Sequence, residues 1–73
     1  MHHARQVGVN ARIQVIATYN AASAGAMSGQ PRRALSRLAE AFELDSSLRE
    51  LAARDGDLAA LHDEPAFTAL IGA

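Results

Sequence analysis

The chain of 73 residues contains no cysteine. Disulfide bonds and thiolate metal sites are therefore excluded as sources of stability. A chain of this length lies near the lower limit at which a hydrophobic core sustains a fold unaided, so the core has to be efficient or shared with a partner. The absence of cysteine agrees with a reducing compartment, and we expect a cytoplasmic protein.

Lysine is absent as well, so all seven basic residues are arginine, and the formal net charge is −1. Acidic and basic residues are interspersed, which indicates a solvated surface and not the single-sign field of a polybasic membrane binder. Apolar stretches are short and interrupted by polar residues, so no transmembrane helix is expected. The start, Met-His-His-Ala-Arg, lacks the apolar run of a signal peptide.

Alanine dominates what is present, with seventeen copies against three aromatic residues. Alanine is the strongest helix former because it loses no side-chain entropy on folding. No segment shows the apolar–polar alternation of a strand. The sequence therefore predicts an all-α protein with three parts: a flexible arm over residues 1–9, an antiparallel helix pair over residues 10–45, and two short capping helices within residues 46–73.

The boundaries of the helix pair follow from capping residues. Asn10 is placed to cap a first helix that continues to about residue 28, where Gly29 supplies a stop. Pro31 suits the first turn of the second helix, to about residue 45. The second helix carries an apolar stripe of the width that faces a core. The stripe consists of Ala34, Leu35, Leu38, Ala41 and Phe42.

Capping patterns also divide the C-terminal part. Ser47 and Glu50 form a capping-box pattern at the start of a short helix near residues 47–55. Asp57 is placed to cap a single turn, and a last helix is expected near residues 64–71. Large apolar residues along this part and the pair are expected to be mostly buried. They are Phe42, Leu48, Leu51, Leu58, Leu61, Phe67 and Leu70.

Residues 15–48 form a helix–turn–helix unit with the 34-residue period of tetratricopeptide repeats. The small contact positions of that repeat fall on Ala22, Ala34 and Ala41, and its turn glycine falls on Gly29. Small residues are needed there because the two helices approach closely. With the tail over residues 57–70, the chain resembles the segment that closes tetratricopeptide arrays in many bacterial proteins.

The resemblance implies a scaffolding role, in which the face made by the first helix binds a protein or peptide. Carried over to this chain, the partner-binding residues are Ile16, Tyr19, Asn20, Ser23 and Met27. Some family members hold a C-terminal carboxylate with lysine, arginine and asparagine. Only Asn20 matches that set here.

A single repeat of this family cannot bury its own apolar face. The surface where an upstream repeat would stack carries Val9, Ile13 and Ile16, and we expect an oligomer interface there. A homodimer is favoured because small oligomers are mostly symmetric. Docking onto the helices of another chain is the alternative.

Patterns of catalytic or metal chemistry are not found, so we expect neither an enzyme nor a bound metal or cofactor. His62 beside Asp63 has no nucleophile or further ligand near it in sequence, and an exposed histidine before a helix is predicted. The alternative function is a helix-turn-helix-like nucleic-acid-binding regulator that uses Arg32, Arg33 and Arg37. Glu40 on the same helix and the negative net charge argue against it.

Overall fold

Five helical segments make up the protein in a computed structural model, which describes the backbone of residues 2–72 and the side chains of residues 12–72. The segments are α1 (His2–Met27), α2 (Pro31–Leu44), α3 (Leu48–Arg54), a 3₁₀ helix (Gly56–Leu61) and α4 (Pro65–Gly72). No strand occurs among these residues. The predicted all-α class, with a helix pair followed by short helices, is therefore confirmed.

The first helix begins earlier than the sequence patterns indicate. We expected a flexible arm over residues 1–9 and a helix start at Asn10, but α1 is helical from His2. No proline precedes Asn10, and a single glycine at position 8 costs a helix only about 1 kcal/mol. A good capping residue therefore does not start a helix where nothing interrupts the turns before it.

The turn between α1 and α2 confirms the predicted role of Gly29. Its φ of 75° lies in the left-handed region, where a side chain would be strained. The amide of Gln30 donates to the carbonyl of Gly25 at 2.8 Å, and the amide of Gly29 donates to Ala26 at 3.4 Å. This pattern is a Schellman motif, and it turns the chain back so that α2 runs antiparallel to α1.

Small residues form the contact between α1 and α2. Ala22, Ala34 and Ala41 are each 0% exposed. The approach is close at Gly25, where an added Cβ would lie 3.3 Å from the Cβ of Ala34. Leu38, also fully buried, extends from α2 into the core. The helices pack this closely because no large side chain separates their backbones at the crossing.

The C-terminal caps differ from the predicted ones. The side chain of Ser47 caps no amide of α3; its amide and hydroxyl donate to Asp45 Oδ1 at 3.1 and 2.6 Å. A carboxylate two residues away is the stronger partner for the hydroxyl. In the same way, Asp55 and not Asp57 caps the next segment, because Asp55 Oδ1 accepts from the amide of Asp57 at 3.0 Å. That segment is a six-residue 3₁₀ helix where one turn was expected.

The core lies where the 3₁₀ helix and α4 close over the helix pair. Phe42, Leu58, Leu61 and Phe67 are buried as predicted, and Leu48 and Leu70 are half-buried against this cluster. Leu51 is the exception, since it is 49% exposed. The prediction that Leu51 is buried is therefore wrong. Among the described residues, no helix combines the length and apolar character that crossing a membrane requires.

Candidate binding groove between α1 and α3

An open groove of about 300 Å³ runs between α1 and α3. Four of its lining residues come from α1 and two from α3. They are Val15, Ile16, Tyr19, Asn20, Leu48 and Leu51. Apart from the Asn20 amide and the Tyr19 hydroxyl, these side chains are apolar. Such a surface is suited to take up an apolar side chain or the ridge of a helix, with one amide available for hydrogen bonding.

Large apolar side chains at the groove face solvent. Ile16 is 59% exposed and Leu51 is 49% exposed, and Ile13, one turn before Ile16 on α1, is also 59% exposed. Single exposed hydrophobic residues are common, whereas neighbouring ones that form a continuous patch mark interaction sites. In a chain of this size, this patch is therefore the first candidate for a binding surface.

Tyr19 forms the floor of the groove and is 9% exposed. Its hydroxyl donates to Asp55 Oδ2 at 2.8 Å, while the other carboxylate oxygen caps the 3₁₀ helix. Burial, followed by the adjacent carboxylate of Asp55, raises the pKa of Tyr19 well above its ordinary value of 10.0. The hydrogen bond joins residues 36 positions apart and fixes α1 against the junction of α3 and the 3₁₀ helix.

The structure divides the five predicted partner-binding residues into two groups. Ile16, Asn20 and Met27 are exposed, the last at 65%. Tyr19 and Ser23, at 9% and 8% exposure, lie in the interior of the protein. The two are interior because the 3₁₀ helix packs over this side of α1, a contact that the heptad-like spacing of α1 does not reveal.

The predicted oligomer interface on α1 shares one residue with the lining of the groove, Ile16. Ile13 and Ile16 are strongly exposed. Val9 lies outside the residues whose side chains the structure describes. The two predicted sets therefore have Ile16 in common, which is exposed and lines the groove.

The groove stays open because α3 is attached to α2 and α4. Arg49 Nε donates to the carbonyl of Leu70 at 3.1 Å. Its guanidinium carbon lies 5.6 Å from the centroid of the Phe42 ring, within the range of a cation–π contact. This anchoring leaves Leu51 on the side of α3 that borders the groove. Sequence reasoning missed Leu48 and Leu51 as groove residues, because their spacing, together with Ala52, predicts a single inward side of α3.

The three arginines of the alternative function lie on α2, away from the groove. Arg33 and Arg37 line a separate cleft of about 360 Å³ beside Gly25 and Ser28. Arg37 forms an ion pair with Glu40 at 3.2 Å, and Arg33 donates to the side chain of Gln30 at 3.4 Å. The Glu40 carboxylate reduces the positive charge that the cleft presents to a phosphate, and the bond to Gln30 occupies one donor of Arg33.

His62 is the residue that the sequence analysis considered for catalysis or metal binding. His62 is exposed, as predicted, with its ring centroid 5.2 Å from that of Phe67. Within the part of the chain that the structure describes, no three His, Cys, Asp or Glu side chains come together as a metal site requires. In comparisons with known proteins, no family model, curated protein or solved structure matches this chain.

Proposed function

We propose that this chain is a non-catalytic protein-interaction module of the tetratricopeptide type, acting as a scaffold in the bacterial cytoplasm. The observation that carries the proposal is the apolar groove between α1 and α3, with Ile16 and Leu51 exposed at its edges. The partner is a protein or peptide that places apolar side chains in the groove and hydrogen-bonds to Asn20.

The packing of the helix pair supports the choice of family. The three small positions that the resemblance rests on, Ala22, Ala34 and Ala41, are fully buried at the α1–α2 contact. A left-handed glycine closes the turn between the helices. The groove lies on the first helix, which is the helix that presents the binding face in such repeats. The absence of cysteine supports the cytoplasmic assignment.

The test is capture of partners on the immobilised chain of 73 residues, followed by direct affinity measurements with each captured protein. We expect Ile16→Asp to weaken binding by at least about tenfold, since a carboxylate replaces an apolar contact. Leu44→Asp is the matched control, because Leu44 is 45% exposed but lies at the end of α2, outside the groove. Equal loss in both variants, or none in either, would contradict the assignment of the groove.

Asn20→Ala is the second probe of the groove, and circular dichroism checks that the helices are retained. Tyr19→Ala is unsuitable, because removing a buried side chain and its bond to Asp55 disturbs the fold itself. The rival nucleic-acid function predicts an affinity for DNA or RNA that falls steeply with salt and depends on Arg33. We expect no such binding.

A further inference from the structure

Acidic and basic residues are interspersed only in the second half of the chain. All eight acidic residues lie at position 40 or later, and five of the seven arginines precede that position. The first 39 residues therefore carry five positive charges and no negative one. A surface of one sign attracts groups of the opposite charge. An anionic ligand is therefore expected on the helix pair and not on the acidic C-terminal part.

The cleft between α1 and α2 lies within this positive part of the chain and has a volume of about 360 Å³. Ala21, Ala24 and Gly25 line it from α1, and the side chains of Arg33 and Arg37 line it from α2. The two alanines are exposed, so the cleft is open to solvent along α1. These small residues leave space for an apolar stem beside the two guanidinium groups.

This arginine cleft is separate from the groove between α1 and α3. No described residue lines both. Ile16 of the groove and Gly25 of the cleft are nine positions apart, which is about two and a half turns and places them on opposite sides of α1. The cleft therefore lies outside the face that the tetratricopeptide resemblance implies for partner binding, and a ligand in it leaves the groove free.

Both arginines keep the donors that a carboxylate requires. Arg37 contacts Glu40 through Nη1 alone, at 3.2 and 3.4 Å from the two carboxylate oxygens. Arg33 contacts Gln30 through Nη1 alone, at 3.4 Å. Within the described part of the chain, Nε and Nη2 of both arginines make no hydrogen bond. These two nitrogens form the fork that binds a carboxylate with two parallel bonds.

The ion pair between Arg37 and Glu40 leaves the cleft open to a ligand. The two side chains are 45% and 51% exposed. Exposed pairs of this kind are weak because solvent screens them, so a second carboxylate can compete for Arg37. With Glu40 counted, the two arginines leave one net positive charge, which one carboxylate neutralises. A polyphosphate would place further negative charges close to Glu40, and this repulsion favours a single carboxylate over a nucleic acid.

We propose that the arginine cleft binds a glutamate side chain from an acidic segment of a partner protein. The carboxylate accepts hydrogen bonds from Arg33 and Arg37, and the apolar stem packs on Ala21 and Ala24. Glutamate has the longer apolar stem of the two acidic side chains. The Ser28 hydroxyl, which also lines the cleft, donates to the carbonyl of Ala24 at 2.7 Å, so its oxygen is available to accept a backbone N–H of the segment.

NMR titration of the isotope-labelled chain with the blocked peptide Ala-Ala-Glu-Ala-Ala tests the cleft, because such spectra detect weak binding residue by residue. We expect saturable shifts of the amides of Gly25 and Ser28 and of the Nε–H signals of Arg33 and Arg37. The matched peptide Ala-Ala-Gln-Ala-Ala should bind at least about tenfold more weakly, because it lacks the charge. Equal binding of the two peptides, or shifts spread evenly over all the arginines, overturns the proposal.

Arginine variants separate a built site from diffuse attraction. Arg37→Gln should weaken binding of the glutamate peptide at least about fivefold, because one of two charged donors is lost. Arg37→Lys should weaken it by a similar factor, since an ammonium keeps the charge but lacks the planar fork. Arg12→Gln is the matched control: it removes the same charge from an exposed position of α1 outside the cleft and should change binding by less than about twofold. Equal losses in Arg12→Gln and Arg37→Gln overturn the proposal.

Two further variants separate the shape of the cleft from its charge. Ala24→Leu fills the space beside the arginines without changing the charge, and should weaken binding at least about tenfold while the helix is retained. Glu40→Gln removes the competing carboxylate and should strengthen binding about two- to threefold. Both positions are exposed, and circular dichroism checks that the variants stay folded. Binding that is unchanged in both variants overturns the proposal.

The inference stands apart from the proposed function, because it uses other residues. Asn20→Ala, the uncharged groove variant, should leave binding of the glutamate peptide unchanged. Capture of a partner that depends on Ile16, without binding of the peptide, overturns this inference and retains the proposed function. Peptide binding without groove-dependent capture does the reverse. Duplex DNA or inorganic phosphate that binds at Arg33 and Arg37 more tightly than the peptide overturns the carboxylate as the ligand.

Discussion

The 3₁₀ helix and α3 follow each other directly, yet they pack against the first helix in opposite ways. The 3₁₀ helix lies on α1 and buries Leu58 and Leu61 completely. The preceding α3 packs on α2 and α4 and leaves Leu51 at 49% exposure beside α1. One side of α1 is therefore closed by the chain itself, and the neighbouring side is left as a groove.

The attachment of α3 explains this difference. Arg49 fixes α3 to the carbonyl of Leu70 in α4 and to the ring of Phe42 in α2. Asp55, between the two segments, bonds to Tyr19 with one oxygen and caps the 3₁₀ helix with the other. The chain is thus bonded to α1 again at Asp55. The contacts of Arg49 and Asp55 therefore hold the groove open, and it does not result from poor packing of the core.

The largest effect is expected on the closed side. Leu58→Ala removes a side chain that is 0% exposed and should lower the free energy of unfolding by about 2–5 kcal/mol. Total stability of a small domain is of similar size, so the variant should be largely unfolded in water. Urea denaturation followed by circular dichroism measures the loss. A change below about 1 kcal/mol would mean that the 3₁₀ helix does not complete the core.

An intermediate effect is expected at the boundary between the two sides. Tyr19→Phe removes the hydroxyl that donates to Asp55 and should lower the free energy of unfolding by about 1–2 kcal/mol at neutral pH. The folded state raises the pKa of Tyr19, so this residue's contribution is full below its ordinary pKa of 10.0 and is lost as the pH rises above it.

Ionisation of the Tyr19 hydroxyl above pH 10 can be measured directly, because Tyr19 is the only tyrosine in the sequence and tryptophan is absent. Tyrosinate absorbance should stay low in the folded chain above pH 10 and appear together with unfolding. Tyr19→Phe should lose stability less steeply over the same pH range. Ionisation of Tyr19 at its ordinary pKa in a folded chain would show that the hydroxyl is solvated and the groove floor is open.

The sequence predicts the closed side better than the open one. Periodic apolar residues in α2, the left-handed glycine at position 29 and the small residues at positions 22, 34 and 41 act locally or between adjacent helices. These features therefore predict the helix pair correctly. Which side of α3 turns inward depends on Arg49 reaching Leu70, 21 residues along the chain. No local pattern in α3 encodes that contact, and so Leu51 was predicted to be buried.

The candidate site was partly predictable for the same reason. The resemblance implied Ile16 and Asn20 as binding residues and an interface at Ile13, and these three residues are exposed on one side of α1, since residues three and four apart share a helix side. It also included Tyr19 and Ser23, which lie on that side but are covered by the 3₁₀ helix and its junction with α3. Helical spacing predicts which residues share a face. Their coverage depends on tertiary contacts that spacing does not contain.

The smallest effect is expected on the open side of α1, at Leu51, for the same change from leucine to alanine as at Leu58. Leu51→Ala should lower the free energy of unfolding by no more than about 0.5 kcal/mol in dilute solution, because the side chain is half in water already. Alanine also suits a helix at least as well as leucine does. Compared with Leu58→Ala, the variant isolates burial as the cause of any difference in stability, since the residue type and the truncation are identical.

Denaturation at rising protein concentration sharpens the test. A Leu51→Ala effect that grows with concentration comes from association, because a dimer is stabilised by mass action. A loss as large as that of Leu58→Ala even at the lowest concentration would show that α3 packs Leu51 into the monomer's own core.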